Sequence, residues 1–315
     1  MSGSWVIGDI GGTNARFAVA ENGKYGRLSH LAVASYVSLH DALTAYLNEL
    51  APAKRPDRAA LAIAGPVFGD KVAMTNHGWA FSISELKRSL GLTSFVVMND
   101  FAATAMSVPH LPKSDVFLVG PAGVEAKGPV GVVGPGTGLG VSSLVPNGNS
   151  WLLLPGEGGH VTLPACTREE DDIIVHLRAR FGHVSAERVL SGAGLVNLYE
   201  ALCAIGGMPA VPMTPADVTD RAISGTDETC VNAFAHFCAF LGTVAGDLAL
   251  TIGATGGVFI AGGILLRFKE AFAQSSFRQR FEDKGRFAEL LRGIPTRLIL
   301  DESPALLGLA NLDGF

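Results

Sequence analysis

The 315-residue sequence predicts an α/β protein of two lobes with mixed central sheets around a cleft. Three observations lead there. Short β-branched runs alternate with amphipathic helical stretches through the first 110 residues or so. An apolar strand, a Gly-rich turn and a second apolar strand open the chain, and the same theme recurs near residue 130. The length also suits two domains of roughly 150 residues each. The chain is 48% apolar and 17% charged, so it holds ample apolar surface to offset the entropy of ordering.

SWVIGD (4–9) and ARFAVA (15–20) flank the first Gly-rich turn and read as a hairpin. Residues 38–50 place Leu39, Ala42, Leu43, Tyr46, Leu47 and Leu50 on one helical face, with Ser38 and Asp41 at N-cap and N3 spacing. Strands follow at 59–65 and 95–99, around a helix at 82–90 that Gly91 ends. Residues 129–145 repeat the opening hairpin, with Gly134 where Gly8 stands in the first copy; the pattern matches and the identities do not. From about 167 the sequence turns helical: a Thr167/Glu170 capping box opens one helix and Gly182 ends it. SAERVLS, 192–207 and 227–252 continue the helices. A last strand, 296–300, precedes a short helix from Pro304, and 206–216 reads as a surface connection. These elements divide into a small lobe, 1–109, and a large lobe, 110–315, the final helix returning to the small one.

Several function classes drop out. Lys and Arg total 24 against 29 Asp and Glu, a net charge of −5, unlike the basic footprint of nucleic-acid binding. Cys166, Cys203, Cys230 and Cys238 form no C-x-x-C pair and read as reduced core residues of a cytosolic protein. The N-terminus shows no signal-peptide pattern. Residues 248–266 carry no charge, but five glycines divide them into a helix end, a strand and a helix start, so a buried core is expected rather than a membrane span.

Three segments can carry chemistry. GDIGGTN (8–14) offers Gly11 and Gly12, which can adopt positive φ and so aim consecutive N–H groups into one concavity. Thr13 and Asn14 add donors, and Asp9 adds a carboxylate for a hydrated cation. The same residues suit an ordinary tight hairpin. GPGTGLG (134–140) repeats the device with Thr137 at its tip. TGGVFIAGGI (255–264) brackets a strand with Gly pairs; Gly262 and Gly263 let a flat ring near the backbone, or serve close helix–strand packing. Neither a P-loop nor a dinucleotide fingerprint occurs.

Together these segments resemble the two phosphate motifs and the adenosine motif of the sugar kinase/heat-shock protein/actin ATPase superfamily. Longer matches at 73–82, 97–105, 154–161, 182–199, 256–264 and 281–287 resemble the bacterial ATP-dependent glucokinases of the hexokinase-like kind. The resemblance runs from the first strand to the last helix and implies two actin-like ATPase (ribonuclease H-like) lobes. The zinc motif of the sister repressor/open-reading-frame/kinase family is missing.

The resemblance implies an enzyme transferring phosphate from Mg-ATP to the 6-hydroxyl of D-glucose, the entry step of glycolysis. A sugar hydroxyl needs a base as it attacks phosphorus, and Asp100 of the N-D-F motif falls on that position. Read from spacing alone, Asp100 equally suits the N-cap of the helix it precedes. Asn99, Asp100, Glu157, His160 and Glu187 fall on the family's glucose ligands; Gly beside Glu157 and His160 is expected to leave room for the ring. Gly8, Asp9, Ile10, Gly11, Gly12 and Thr13, with Gly136, Thr137 and Gly138, fall on the nucleotide-binding positions, and Gly262 and Gly263 on the adenosine side. Asp9 matches the Mg²⁺ carboxylate, acting through water. Arg16 lies too near the strand interior to be assigned as a clamp, so charge stabilisation is expected from Mg²⁺ and backbone N–H groups. Lobe closure on sugar binding is expected to exclude water. A cytoplasmic homodimer without nucleic-acid or membrane partners completes the expectation. The rival readings are a kinase for another hexose, a non-catalytic sugar- or ATP-binding regulator, and a chaperone- or actin-like ATPase.

Overall fold

The computed structural model describes residues 3–74, 77–124 and 126–312; Thr75 and Asn76 of the 73–82 motif lie outside them. The chain forms two compact units. One runs to Pro112 and takes back the chain from Ser303; the other comprises Lys113–Glu302.

The first unit opens with β1 (Trp5–Ile10) and β2 (Asn14–Glu21), paired antiparallel as Gly8↔Phe17 and Asp9↔Arg16. Short strands β3 (Lys24–Tyr25) and β4 (Ser29–Ala32) both pair with β2. Helix α1 (Leu39–Glu49) starts where the Ser38 hydroxyl accepts the Asp41 N–H, as its spacing predicts. Strand β5 (Arg58–Ile63) lies parallel to β1. A hairpin of β6 (Lys71–Ala73) and β7 (Ala80–Ser82) leads into α2 (Ile83–Ser89). Strand β8 (Ser94–Asn99), parallel to β5, then runs straight into α3 (Asp100–Ser107). The main sheet has the order β3-β2-β1-β5-β8.

Alternation along β1 decides which layer each face meets. Val6 and Ile10 enter a core with Phe17, Leu43 and Tyr46 on the α1 side. Trp5 and Ile7 face the opposite core, made with Ala103 of α3 and Leu306 and Leu309 of α12 (Pro304–Ala310). The Trp5 indole donates to the Leu309 carbonyl at 3.0 Å. Helices α12 and α3 approach closely because residue 308 is Gly: a Cβ there would lie 1.9 Å from the Ala103 carbonyl oxygen. The returning segment therefore forms a layer of the first unit.

The second unit contains β9 (Val116–Val119), β10 (Val130–Pro135), β11 (Leu139–Asn147) and β12 (Ser150–Gly156). Helices α4 (Arg168–Phe181), α5 (Gly192–Ile205), α6 (Pro215–Ser224) and α7 (Glu228–Ile252) follow. Strand β13 (Gly257–Ile260) precedes α8 (Gly263–Leu266), α9 (Lys269–Gln274), α10 (Phe277–Glu282) and α11 (Ala288–Gly293), and β14 (Thr296–Ile299) closes the set. The sheet order is β12-β11-β10-β13-β14-β9. Its first five positions repeat the first sheet: an antiparallel pair β10/β11, then β13 parallel to β10 and β14 parallel to β13. The recurrence near residue 130 thus extends to whole-sheet topology, and two mixed sheets of one pattern establish the expected fold class.

Helix α7 is long and apolar enough to cross a bilayer by length and composition, yet 72% of its most apolar window is buried inside the protein. Gly253, at φ +62°, ends it, and β13 follows, so 248–266 divides as its glycines predict. Gly242 and Gly246 lay α7 against α10; Cβ atoms there would sit 2.2 and 2.6 Å from the Phe277 and Phe281 carbonyl oxygens. Beside this contact Arg280 forks onto both oxygens of the buried Glu170, at 2.6 and 3.1 Å. Burial alone would push the Glu170 carboxyl up, but the Arg280 hydrogen bond and charge and the Cys166 N–H outweigh it and hold it low.

Four local expectations are corrected. Thr167 caps α4, but Glu170 does not bond back to it; its carboxylate takes the Cys166 N–H at 2.7 Å and serves Arg280. SAERVLS holds a single 3₁₀ turn, Ala186–Arg188, because Ala186 donates to Val161 in the neighbouring segment. Cys166 is exposed while the other three cysteines are buried, since it sits in the loop before α4. In 206–216 the connection ends at Thr214, and Pro215 occupies the first turn of α6 within a capping box.

Candidate active site

In the first unit, Asp9 stands one residue before the end of β1, at the carboxyl edge where α/β sheets present ligand groups. Its carboxylate pairs with the Arg16 guanidinium directly across the hairpin, and Arg16 Nη1 donates to the Ser303 hydroxyl at 2.7 Å. Arg16 is therefore the partner of the candidate carboxylate, a residue that sequence reasoning left unassigned. The signal was present: with a turn at 11–14, residue 16 must face residue 9. Gly8 and Ile10 are buried in the strand. A Cβ on Gly8 would meet Phe17 and Leu61 at 2.7 Å, so its missing side chain serves packing, and only the Ile10 backbone remains for a ligand. The Gly11 N–H closes the turn on the Asn14 carbonyl at 2.9 Å, and neither Gly11 nor Gly12 takes the positive φ open to it. Gly12 is half-buried and Thr13 is exposed at the turn.

At the end of β8 the two polar residues divide the work. Asn99 is the N-cap of α3: its Oδ1 accepts the Phe101 and Ala102 N–H groups at 2.8 and 3.2 Å, and its Nδ2 donates to the Gly65 carbonyl at 3.1 Å. That leaves Asn99 one amide hydrogen for a ligand. Asp100 is therefore not the cap; it occupies the first helical turn, with Oδ1 also accepting the Phe101 N–H at 2.8 Å.

In the second unit, the β10–β11 turn closes through the Gly136 N–H on the Gly138 carbonyl at 2.8 Å, with Thr137 exposed at its tip. Leu139, the next residue, ties three expected segments together. Its N–H donates to Glu187 Oε2 at 2.9 Å. Its carbonyl lies against Gly159, where a Cβ would be 2.1 Å away. Glu157 and His160 flank that glycine, on a turn that follows β12. Both are exposed, with Glu157 Oε2 and His160 Nε2 4.0 Å apart. The room expected beside them is filled: Gly158 packs on Val141 and Gly159 on the Leu139 carbonyl, so these glycines dock the turn onto β11. Glu187 is half-buried on its 3₁₀ turn.

The adenosine pair also divides. Gly262, at φ +107°, would place a Cβ 2.2 Å from the Pro135 carbonyl, so it packs under the end of β10. Gly263 has nothing within 4 Å of its Cβ direction and opens onto space at the start of α8.

Among the described residues no three His, Cys, Asp or Glu side chains cluster at metal-ligating distance. One carboxylate, Asp9, fits a cation that keeps most of its waters and takes the rest of its shell from phosphate, as Mg²⁺ does.

The chain matches the family model described as Glucokinase over residues 6–313. A glucokinase of Nitrobacter hamburgensis is 66% identical over 312 residues, covering 99% of this chain and 98% of that protein. One from Aromatoleum aromaticum is 48% identical over 308 residues, covering 97% and 93%. The crystal structure of a glucokinase from an Antarctic psychrotroph matches with a TM-score of 0.88 at 36% identity, over 98% of this chain and 97% of that one. A Balamuthia mandrillaris glucokinase in complex with glucose shares the fold, with a TM-score of 0.80 at 20% identity over 98% and 93%. On this agreement of sequence, topology and length, the chain belongs to the glucokinase family and is a kinase that phosphorylates glucose.

Proposed function

We propose that the enzyme transfers the terminal phosphoryl group of Mg-ATP to the 6-hydroxyl of D-glucose, giving glucose 6-phosphate and ADP, with Asp100 as the base. The observation that carries this assignment is the division of labour at 99 and 100. Asn99 caps α3, so the Asp100 carboxylate, which also accepts the Phe101 N–H, is not required for capping. Accepting the hydroxyl proton as the oxygen attacks phosphorus is the step such a group can supply.

Each unit contributes its own part. In the first, Asp9 and the backbone of Ile10–Thr13 hold one side of the phosphate chain, and Arg16 keeps the Asp9 carboxylate oriented. In the second, Gly136, Thr137 and Gly138 hold phosphate oxygens through backbone N–H groups and a hydroxyl. Gly262 supports that loop from beneath, and Gly263 leaves the opening for adenosine. Asn99, Asp100, Glu157, His160 and Glu187 supply hydrogen bonds to the sugar hydroxyls. Asp9 would hold Mg²⁺ through water, and when bound the ion neutralises charge on the phosphates. A homodimer in the cytoplasm is part of the same reading; the apolar composition supports the dimer, which light scattering tests, and four free cysteines suit a reducing compartment.

Release of ADP coupled to added hexoses, with and without Mg²⁺, tests the proposal. Glucose should lead the panel by kcat/KM, because sites built for a given hydroxyl discriminate strongly against its absence. Equal use of mannose or fructose, or full activity after chelation of Mg²⁺, would contradict it.

A further inference from the structure

The second glycine loop and the segments that bear the sugar ligands meet at one carboxylate. Glu187 Oε2 accepts the N–H of Leu139, the first amide of β11 after the turn, at 2.9 Å. A Cβ at residue 138 would lie 2.4 Å from the same oxygen, so a larger residue there would push the Glu187 carboxylate aside. The far side of the loop is held by the Gly192 N–H on the Gly136 carbonyl at 2.9 Å. Glu187 is itself anchored: its carbonyl accepts the Ser191 hydroxyl at 2.8 Å, and Ala186 beside it donates to Val161 at 2.9 Å, next to the Glu157–His160 turn.

We propose that Glu187 is a positioning residue for loop 136–138 as well as a sugar ligand, so that one side chain serves both substrates. One carboxylate oxygen fixes the Leu139 N–H and through it the conformation of the loop that grips phosphate; the other meets a sugar hydroxyl. The inference rests on the phosphate and sugar assignments above and deepens them. A carboxylate shared in this way makes binding of each substrate bias the other, and the bias is reciprocal.

The test is ADP binding by calorimetry without sugar, and glucose binding without nucleotide, for the wild type, Glu187→Ala and Glu187→Gln. Amide hydrogen exchange is followed at 136–139. Glu187→Ala should bind ADP about tenfold more weakly, the loss of one hydrogen bond to a charged group, and Leu139 exchange should accelerate. Glu187→Gln should recover most of the ADP affinity, because its amide oxygen can accept the same N–H, while glucose stays weakened. Should Glu187→Ala fail to fold, Glu187→Asp, one methylene too short to reach, gives the same readout. Wild-type ADP affinity in these variants together with lost glucose binding would overturn the positioning role; unchanged glucose binding would overturn the shared role. If ADP does not protect residues 136–138 in the wild type, the phosphate assignment itself fails and this inference falls with it.

Discussion

The Asp9 carboxylate meets the Arg16 guanidinium across the β1–β2 hairpin, and the same guanidinium reaches the Ser303 hydroxyl where the chain re-enters the first unit. One cation thereby orients a proposed metal-binding carboxylate and ties the hairpin to the start of α12. Arg16→Leu leaves Asp9 half-buried without its partner. Stability should fall by about 1–3 kcal/mol, as for a lost charge-assisted hydrogen bond, and kcat should fall at saturating Mg²⁺. Arg16→Lys should recover only part of both, because a single ammonium does not reproduce the fork. Urea unfolding and steady-state kinetics decide it; a variant unchanged in both removes Arg16 from the site.

Asn99 and Asp100 should respond oppositely to substitution. Asp100→Asn keeps the cap intact, so folding and glucose affinity should hold while turnover drops about 10²–10⁴-fold. Asn99→Ala removes the cap and should cost about 1 kcal/mol of stability. Kinetics paired with thermal unfolding of both variants separates the roles. Near-normal kcat in Asp100→Asn would refute the base assignment.

Gly262 and Gly263 are neighbours with different tasks. Gly262→Ala combines a left-handed φ with a contact on the Pro135 backbone and should destabilise by more than about 1 kcal/mol. Gly263→Ala points into open space and should stay within about 0.5 kcal/mol, while raising KM for ATP and not for glucose. A Gly263→Ala enzyme with unaltered KM for ATP would show that adenosine binds elsewhere.

Glu170 gives the second unit a pH dependence with a definite sign. Its folded-state pKa is lowered, so the stabilisation is present above the ordinary carboxylate range and disappears as pH falls through the folded value. Wild-type protein should lose in acid a component of stability that Glu170→Gln does not lose. Arg280→Met, which strands the buried carboxylate, should cost about 3–5 kcal/mol at neutral pH. Denaturant midpoints from pH 3 to 8, roughly the range that carboxylate titration spans, measure both effects. Parallel acid profiles would rule out Glu170 as the source.

The strands and long helices were legible because strict alternation, capping residues and terminal glycines act within a few positions of one another, as in Ser38 with α1 and Gly253 after α7. Glu170 and the SAERVLS segment misled for the opposite reason. Their partners, Arg280 and Val161, lie far along the chain or in another segment, and tertiary bonds outweighed local preference. The glycines were recognised as special, but mainly as room for ligands, with close packing weighed as the alternative at Gly262; Gly8, Gly138, Gly159 and Gly262 instead give space against Phe17, Glu187, Leu139 and Pro135. Space of that kind depends on what packs opposite, which spacing does not encode. The family resemblance supplied Glu157, His160 and Glu187, whereas the Leu139 link among their segments required coordinates.

Because α12 follows the whole second unit in the chain and packs over Trp5 and Ile7, the first unit's core is assembled from segments far apart in sequence. Ala103 of α3 covers part of the Trp5 and Ile7 face from within the first stretch of chain, and α12 adds the rest only after the contiguous segment Lys113–Glu302. A chain cut before Ser303 should therefore leave the α12 side of the Trp5 and Ile7 core open to solvent.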